Sequence, residues 1–95
     1  MSDLIVKVKE IKGSCPVYKR GDSFSILEGY KLKADKLICM HSLASLMPYY
    51  IALNKGISPE ELSLGKEKAY VQCLNPYNYT SGGTVIFEIE IEVER

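Results

Sequence analysis

Strict alternation of apolar and acidic residues near the C-terminus constrains the fold more than any other feature of this sequence. The apolar positions are Val85, Phe87, Ile89, Ile91 and Val93, and the acidic ones are Glu88, Glu90, Glu92 and Glu94. A period of two places the apolar side chains on one face of a β-strand and the carboxylates on the other. Four like charges along one strand favour cations on the neighbouring strand. Lys7 and Lys9 have the parity to supply them, so we predict that the first and last strands are neighbours.

Two further strands and a weaker segment are predicted before the middle of the chain. Leu4, Val6 and Val8 alternate with more polar neighbours, as in a half-buried strand. A turn at 19–22 leads into a second strand at 23–27, and residues 30–32 pair weakly beyond Gly29. Residues 69–74 form another strand. A long loop at 75–83, rich in Pro, Asn, Tyr and Gly, joins it to the last strand.

A helix is predicted at residues 42–55. Its apolar stripe consists of Leu43, Leu46, Met47, Tyr50 and Ile51, and Gly56 follows its last turn. Pro48 lies inside this pattern. Because proline lacks the N–H that bonds the carbonyl four residues back, we expect the helix to bend or restart there, which leaves the Ala44 carbonyl without its usual donor.

A second, shorter helix is predicted to follow. Ser58-Pro59-Glu60-Glu61 combines an N-cap residue, a proline at the first helical position and a glutamate two residues later, and Gly65 would end the helix after Leu64. The predicted order is therefore β-β-α-α-β-β. We expect one α+β domain over residues 1–95, with a mainly antiparallel sheet of four or five strands and one kinked amphipathic helix on one face.

Composition narrows the functional classes. Twelve basic residues balance twelve acidic ones, so no net field would attract nucleic acid or an anionic membrane. No apolar run reaches the roughly 18–20 residues of a membrane span, and the N-terminus does not have the pattern of a signal peptide. These features predict a cytoplasmic protein with reduced thiols, and the odd cysteine count argues against a full disulfide framework.

The candidate chemistry lies in three cysteines and one histidine. Cys15, Cys39, Cys73 and His41 are the residue types of a Cys3His zinc or iron site, although no C-x2-C pair is present. Cys15 follows a strand, with cationic residues near it in sequence, and is a candidate nucleophile with His41 as its partner. The alternative is structural: free cysteine packs as a small apolar residue, and His41 serves as a helix-start residue.

Three segments carry a resemblance to a known family. "CPVYKRGDSF", "CMHSLASLMPYYIALNKGI" and "YVQCLNP…GGTVIFEIE" resemble a family of small uncharacterised proteins from anaerobic bacteria and archaea. The resemblance covers nearly the whole chain. It implies that Cys15, Cys39 and Cys73 are positions of the family pattern and that the setting is anaerobic. The late turn reads Asn75-Pro76 where the family pattern has Asp-Pro.

Two functional classes follow. The first is a small binding or accessory module with structural cysteines and a groove between helix and sheet for a small molecule or a protein partner. The sequence also leaves a homo-oligomer open. The second is a thiol- or metal-dependent redox or detoxification protein that uses Cys15, Cys39, Cys73 and His41. No Gly-rich phosphate loop is present, since Gly82-Gly83 precedes a strand rather than a helix. The sequence does not decide whether the protein is an enzyme.

Overall fold

The computed structural model of the chain describes residues 3–92 as a single α+β domain. Its helices and strands follow the order β1 (Asp3–Lys12), β2 (Ser23–Leu27), β3 (Lys31–Lys33), α1 (Met40–Asn54), β4 (Ala69–Gln72), α2 (Tyr77–Thr80) and β5 (Thr84–Glu92). Val93 and Glu94, to which the predicted alternation extends, lie outside the described residues. Within residues 3–92, no helix combines the length and the apolar character needed to cross a membrane.

The five strands form one antiparallel sheet in the order β3-β2-β1-β5-β4. The prediction that the first and last strands are neighbours is confirmed, because β1 and β5 pair along their length with Lys7 opposite Glu88. A bulge between Val8 and Glu10 shifts the register by one residue. Beyond that bulge, Ile11 lies opposite Val85 and turns its side chain toward the same core.

The Glu88 carboxylate contacts three side chains on the polar face of the sheet. Glu88 contacts the Lys9 Nζ at 3.3 Å and the Lys68 Nζ at 3.4 Å, and it accepts a hydrogen bond from the Tyr70 hydroxyl at 3.2 Å. Its side chain is only 12% exposed. Burial acts to raise the pKa of Glu88, but the two ammonium groups outweigh burial and hold that pKa below its usual value. The charge of Glu88 on the acidic strand face is thus balanced by neighbouring lysines, as the pattern predicts.

The core lies between the apolar face of the sheet and α1. Leu4, Phe87 and Leu53 are completely buried there. The side chains of Tyr18, Phe24 and Phe87 form an aromatic cluster with ring centroids 5.6–6.5 Å apart. Because α1 contacts β1 and β4, it covers the β1-β5-β4 side of this face. The β2-β3 side extends beyond the helix.

The helix meets the core with only part of the predicted stripe, since Leu46 is buried and Leu43 and Tyr50 pack against the core from partly buried positions. Its buried residues are Ser42, Ser45, Leu46, Leu53 and Asn54, whereas Met47 and Ile51 are exposed. Both serines satisfy their hydroxyls within the helix, since Ser42 Oγ donates to the Cys39 carbonyl and Ser45 Oγ donates to the Ser42 carbonyl. Small, internally bonded side chains let the helix approach the sheet closely, so the apolar stripe faces partly outward.

Two predicted details are wrong, and a third is wrong in part. Residues 58–65 do not form a helix, although the predicted capping interaction exists: the Glu61 N–H donates to Ser58 Oγ at 3.2 Å. The left-handed backbone of Ser63 ends this turn before a helix can develop. Of the predicted bend or restart at Pro48, the restart does not occur, because α1 is continuous from Met40 to Asn54, and the bend stays a prediction. The late loop contains α2, a single helical turn, so the predicted order β-β-α-α-β-β becomes β-β-β-α-β-α-β.

Candidate functional site

The loop that carries Cys15 is anchored at one end of the sheet. The Cys15 thiol is partly buried, and its Sγ accepts a hydrogen bond from the Tyr18 N–H at 3.4 Å. Gly83 lies directly against this loop: a Cβ added there would lie 2.5 Å from the Ser14 carbonyl oxygen and 2.7 Å from the Cys15 nitrogen. The loop and the start of β5 therefore pack backbone to backbone.

Tyr18 joins this loop to the start of α1. Its hydroxyl accepts the Cys39 N–H at 3.0 Å and lies 2.7 Å from Ser42 Oγ. Because the proton of Ser42 Oγ is donated to the Cys39 carbonyl, the hydroxyl of Tyr18 donates to Ser42. Every donor in this buried network thus has an acceptor, which identifies it as a structural connection. Cys39 occupies the N-cap position without a side-chain capping bond, and His41 is exposed in the first turn.

Cys73 has structural partners on β5. Its Sγ lies 3.8 Å from the Gly83 carbonyl oxygen, to which the thiol donates, and it accepts the Val85 N–H at 3.3 Å. The side chain is partly buried against the core. The Cys73 thiol therefore acts both as a donor and as an acceptor, and its two hydrogen bonds join the end of β4 to the start of β5.

The three cysteine-bearing segments meet at one end of the sheet through two sets of contacts. Gly83 contacts both the Cys15 loop and the Cys73 thiol, and Tyr18 joins the Cys15 loop to Cys39 at the start of α1. Among residues 3–92, however, no group of three or more His, Cys, Asp or Glu side chains is placed to hold a metal ion. Cys15, Cys39, Cys73 and His41 thus do not form a common ligand set in this structure. A reactive Cys15 with His41 as its partner stays a prediction.

An apolar groove lies on the surface beside α1. It has a volume of about 150 Å³ and an entirely apolar or aromatic lining, made of Ile26, Tyr30, Leu32, Leu43, Leu46, Met47 and Tyr50. Leu32 lies opposite Ile26 in the β2–β3 pair and faces the same side of the sheet as the core. The groove is therefore the margin of the core face that α1 does not cover.

An apolar stripe on α1 continues this groove, and we call it the outer stripe; Met40, Met47 and Ile51 in it are exposed, whereas Leu43 and Tyr50 are partly buried against the core. It consists of Met40, Leu43, Met47, Tyr50 and Ile51, spaced three, four, three and one residues apart. Met40 is 76% exposed and Met47 is 60% exposed. Residues at this spacing lie on one face of a helix. Solvent-facing helix surfaces usually carry charged side chains, whereas α1 contains no Asp, Glu, Lys or Arg.

A second concave surface lies on the other flank of α1. Ala44, Pro48 and Tyr49 line it from the helix, and Leu64 and Tyr70 line it from the sheet side. Because Pro48 has no N–H, the Ala44 carbonyl lacks its usual helical donor on this flank. The prediction that a ligand or water occupies this carbonyl stays a prediction.

Part of the groove was not visible to sequence reasoning. The helix residues Leu43, Met47 and Tyr50 belong to the predicted stripe, which the pattern assigned to the core; Leu43 and Tyr50 do pack partly against the core, whereas Met47 is exposed. Tyr30 and Leu32 were predicted only to belong to a weakly pairing segment, not to line a groove. Their signal is the placement of Tyr30 and Leu32 on either side of Lys31 at the start of β3, and both line the groove.

Comparison of the chain with protein-family models, with curated protein sequences and with solved structures found no match.

Proposed function

We propose that this protein is a binding module that holds an apolar segment of a protein partner in the groove between α1 and the β2–β3 hairpin. One observation carries the proposal: the groove and the outer stripe form a continuous apolar surface on a helix without charged side chains. Contiguous exposed apolar surface of this kind marks interaction sites in water-exposed proteins. Methionine and tyrosine, which supply four of the nine residues of this surface, are enriched at protein interfaces.

The size of the groove supports a side chain of a partner rather than a cofactor. A volume of about 150 Å³ is smaller than the roughly 300–1,000 Å³ of typical small-molecule sites. It has room for one aliphatic or thioether side chain. Met40 and Ile51 of the outer stripe offer further apolar contact area outside the groove, which suits a macromolecular partner with several apolar anchors.

The cysteines have structural roles in this proposal. Cys73 joins β4 to β5 through its two hydrogen bonds, and the Cys15 loop is connected to α1 by Tyr18. These contacts stabilise the sheet end and the start of α1, and the helix in turn forms one wall of the groove. The cytoplasmic location expected from the sequence suits a module whose thiols stay reduced.

A fluorescent apolar probe tests the groove at low protein concentration. We expect 8-anilinonaphthalene-1-sulfonate to bind the native protein, with amide shifts in 1H–15N spectra concentrated at Leu32, Leu43 and Met47. Met47→Lys should weaken this binding at least tenfold because it places a charge on the apolar wall. Leu74→Lys is the matched control, since Leu74 is 59% exposed and Met47 is 60% exposed. Equal probe binding by both variants would refute the proposal.

A further inference from the structure

We infer that the partner held by the groove is a second copy of this chain, packed about a two-fold axis so that the outer stripes of the two α1 helices face each other. This inference rests on the proposed function, because it names the occupant of the same groove. In a two-fold interface the same surface serves both copies, so that surface must be complementary to itself. Four features of the molecule meet this requirement.

The first feature is the absence of charge on the helix. Where helices select a partner, charged residues beside the apolar seam attract the correct helix and repel the wrong one. The sequence of α1, MHSLASLMPYYIALN, offers no Asp, Glu, Lys or Arg for this purpose. Nothing on the helix therefore repels an identical helix. The balanced charge of the whole chain also gives two copies no net repulsion.

The second feature is the spacing of the outer stripe. Met40, Leu43, Met47 and Tyr50 follow the three-four-three spacing with which paired helices interlock their side chains. With Met47 near the two-fold axis, each copy places this long and flexible side chain against the groove of the other. The groove, at about 150 Å³, accepts a side chain of that size.

The third feature is the available area. An interface of standard size buries about 800 Å² per partner, of which roughly 60% is apolar. Tyr30, Leu32, Met40, Met47 and Ile51 are each exposed by 44–76%. At about 150–200 Å² for each fully exposed side chain, they offer roughly 500 Å² of apolar surface. This area matches the apolar part of one side of a standard interface.

The fourth feature is that the sheet edges discourage the alternative, edge-to-edge pairing. β3 has only three residues and carries Lys31 and Lys33, which are typical of protected edges. On the opposite edge, the Tyr70 N–H of β4 already donates to the Leu64 carbonyl at 2.9 Å. Self-association through strand addition is therefore hindered at both edges, whereas the helix face is open.

Sedimentation equilibrium from micromolar to millimolar chain concentration tests the inference. We expect the wild-type mass to rise from that of one chain, 10.7 kDa, to twice this value. Met47→Lys and Met40→Lys should each raise the dissociation constant at least tenfold, and Leu74→Lys should leave it unchanged. Circular dichroism of each variant checks folding, and using two exposed stripe positions keeps the test valid if one variant unfolds.

The outcomes separate the two proposals. A wild-type protein that stays at 10.7 kDa up to millimolar concentration overturns the dimer, as does a dimer weakened equally by Leu74→Lys. If such a monomer still binds the anilinonaphthalene probe in a Met47-dependent way, the groove proposal stands and its occupant is a different protein. If the probe does not bind either, both proposals fail.

Discussion

The hydroxyl of Tyr18 lies 2.7 Å from Ser42 Oγ and accepts the Cys39 N–H at 3.0 Å, so one side chain connects the Cys15 loop to the start of α1. Tyr18 is almost fully buried and also contacts the aromatic cluster through its ring. The position of the helix, and with it the wall of the groove, depends on this connection.

Tyr18→Phe should lower the free energy of unfolding by about 1–3 kcal/mol, because it leaves the buried Cys39 N–H without its acceptor. Tyr79→Phe is the control: Tyr79 is exposed, so its substitution should change stability by less than about 0.5 kcal/mol. Urea denaturation of the three proteins measures both values. Equal stabilities of the two variants would show that the hydroxyl network does not hold the helix.

Glu88→Gln should destabilise the protein by about 1 kcal/mol at neutral pH, because the amide loses the charge interaction with Lys9 and Lys68. The folded-state pKa of Glu88 lies below its ordinary value of 4.5, so the contribution is complete above pH 4.5 and disappears as the pH falls through the folded pKa. Thermal or urea unfolding between pH 3 and pH 7 measures this. A stability difference that grows on acidification would contradict the assignment.

Gly83→Ala should destabilise the sheet end by more than about 2 kcal/mol, since the new methyl group would collide with backbone atoms of Ser14 and Cys15. Gly21→Ala provides a control for backbone strain alone. Gly21 has a φ of +93° but no atom within 4 Å of the added methyl group, so we expect a cost of about 1–2 kcal/mol. A Gly83→Ala protein as stable as Gly21→Ala would mean that the Cys15 loop moves freely from β5.

Metal analysis of protein purified without oxygen tests the thiol- or metal-dependent alternative. Because no described group of side chains is placed to hold a metal ion, we expect far less than one zinc or iron per chain. Cys39→Ser should leave the fold and the probe binding of the groove unchanged. One metal ion per chain that disappears in Cys39→Ser would instead favour a Cys3His site formed by Cys15, Cys39, Cys73 and His41.

The sheet was predictable from sequence because its signals are local and agree with one another. The alternation in β5 fixed one face, and its glutamates required the lysines of β1 as neighbours, as the pairing of Lys7 with Glu88 confirms. The edge strand β3 was visible as residues beyond Gly29. For the helix at 58–65, the capping signal was real, but a capping bond alone cannot stabilise so short a helix against the left-handed Ser63.

The face of α1 was not predictable because this helix is apolar on more than one side. Periodicity finds the apolar stripe, but it cannot tell a stripe that meets the core from one that meets a partner. Burial of Ser42 and Ser45 depends on hydroxyl bonds within the helix, which have no sequence signal of their own. Met47 and Ile51 were therefore assigned to the core, and the residues that line the predicted groove between helix and sheet became visible only with the sheet in place.

The most direct test of the central claim is an isotope-filtered NOE experiment on an equal mixture of unlabelled protein and protein carrying 13C-methyl methionine. We predict intermolecular NOEs from the methyl groups of Met40 and Met47 in one copy to the ring protons of Tyr30 and Tyr50 in the other. The absence of these NOEs at millimolar concentration, or intermolecular NOEs that involve Tyr70 and Leu74 instead, would contradict it.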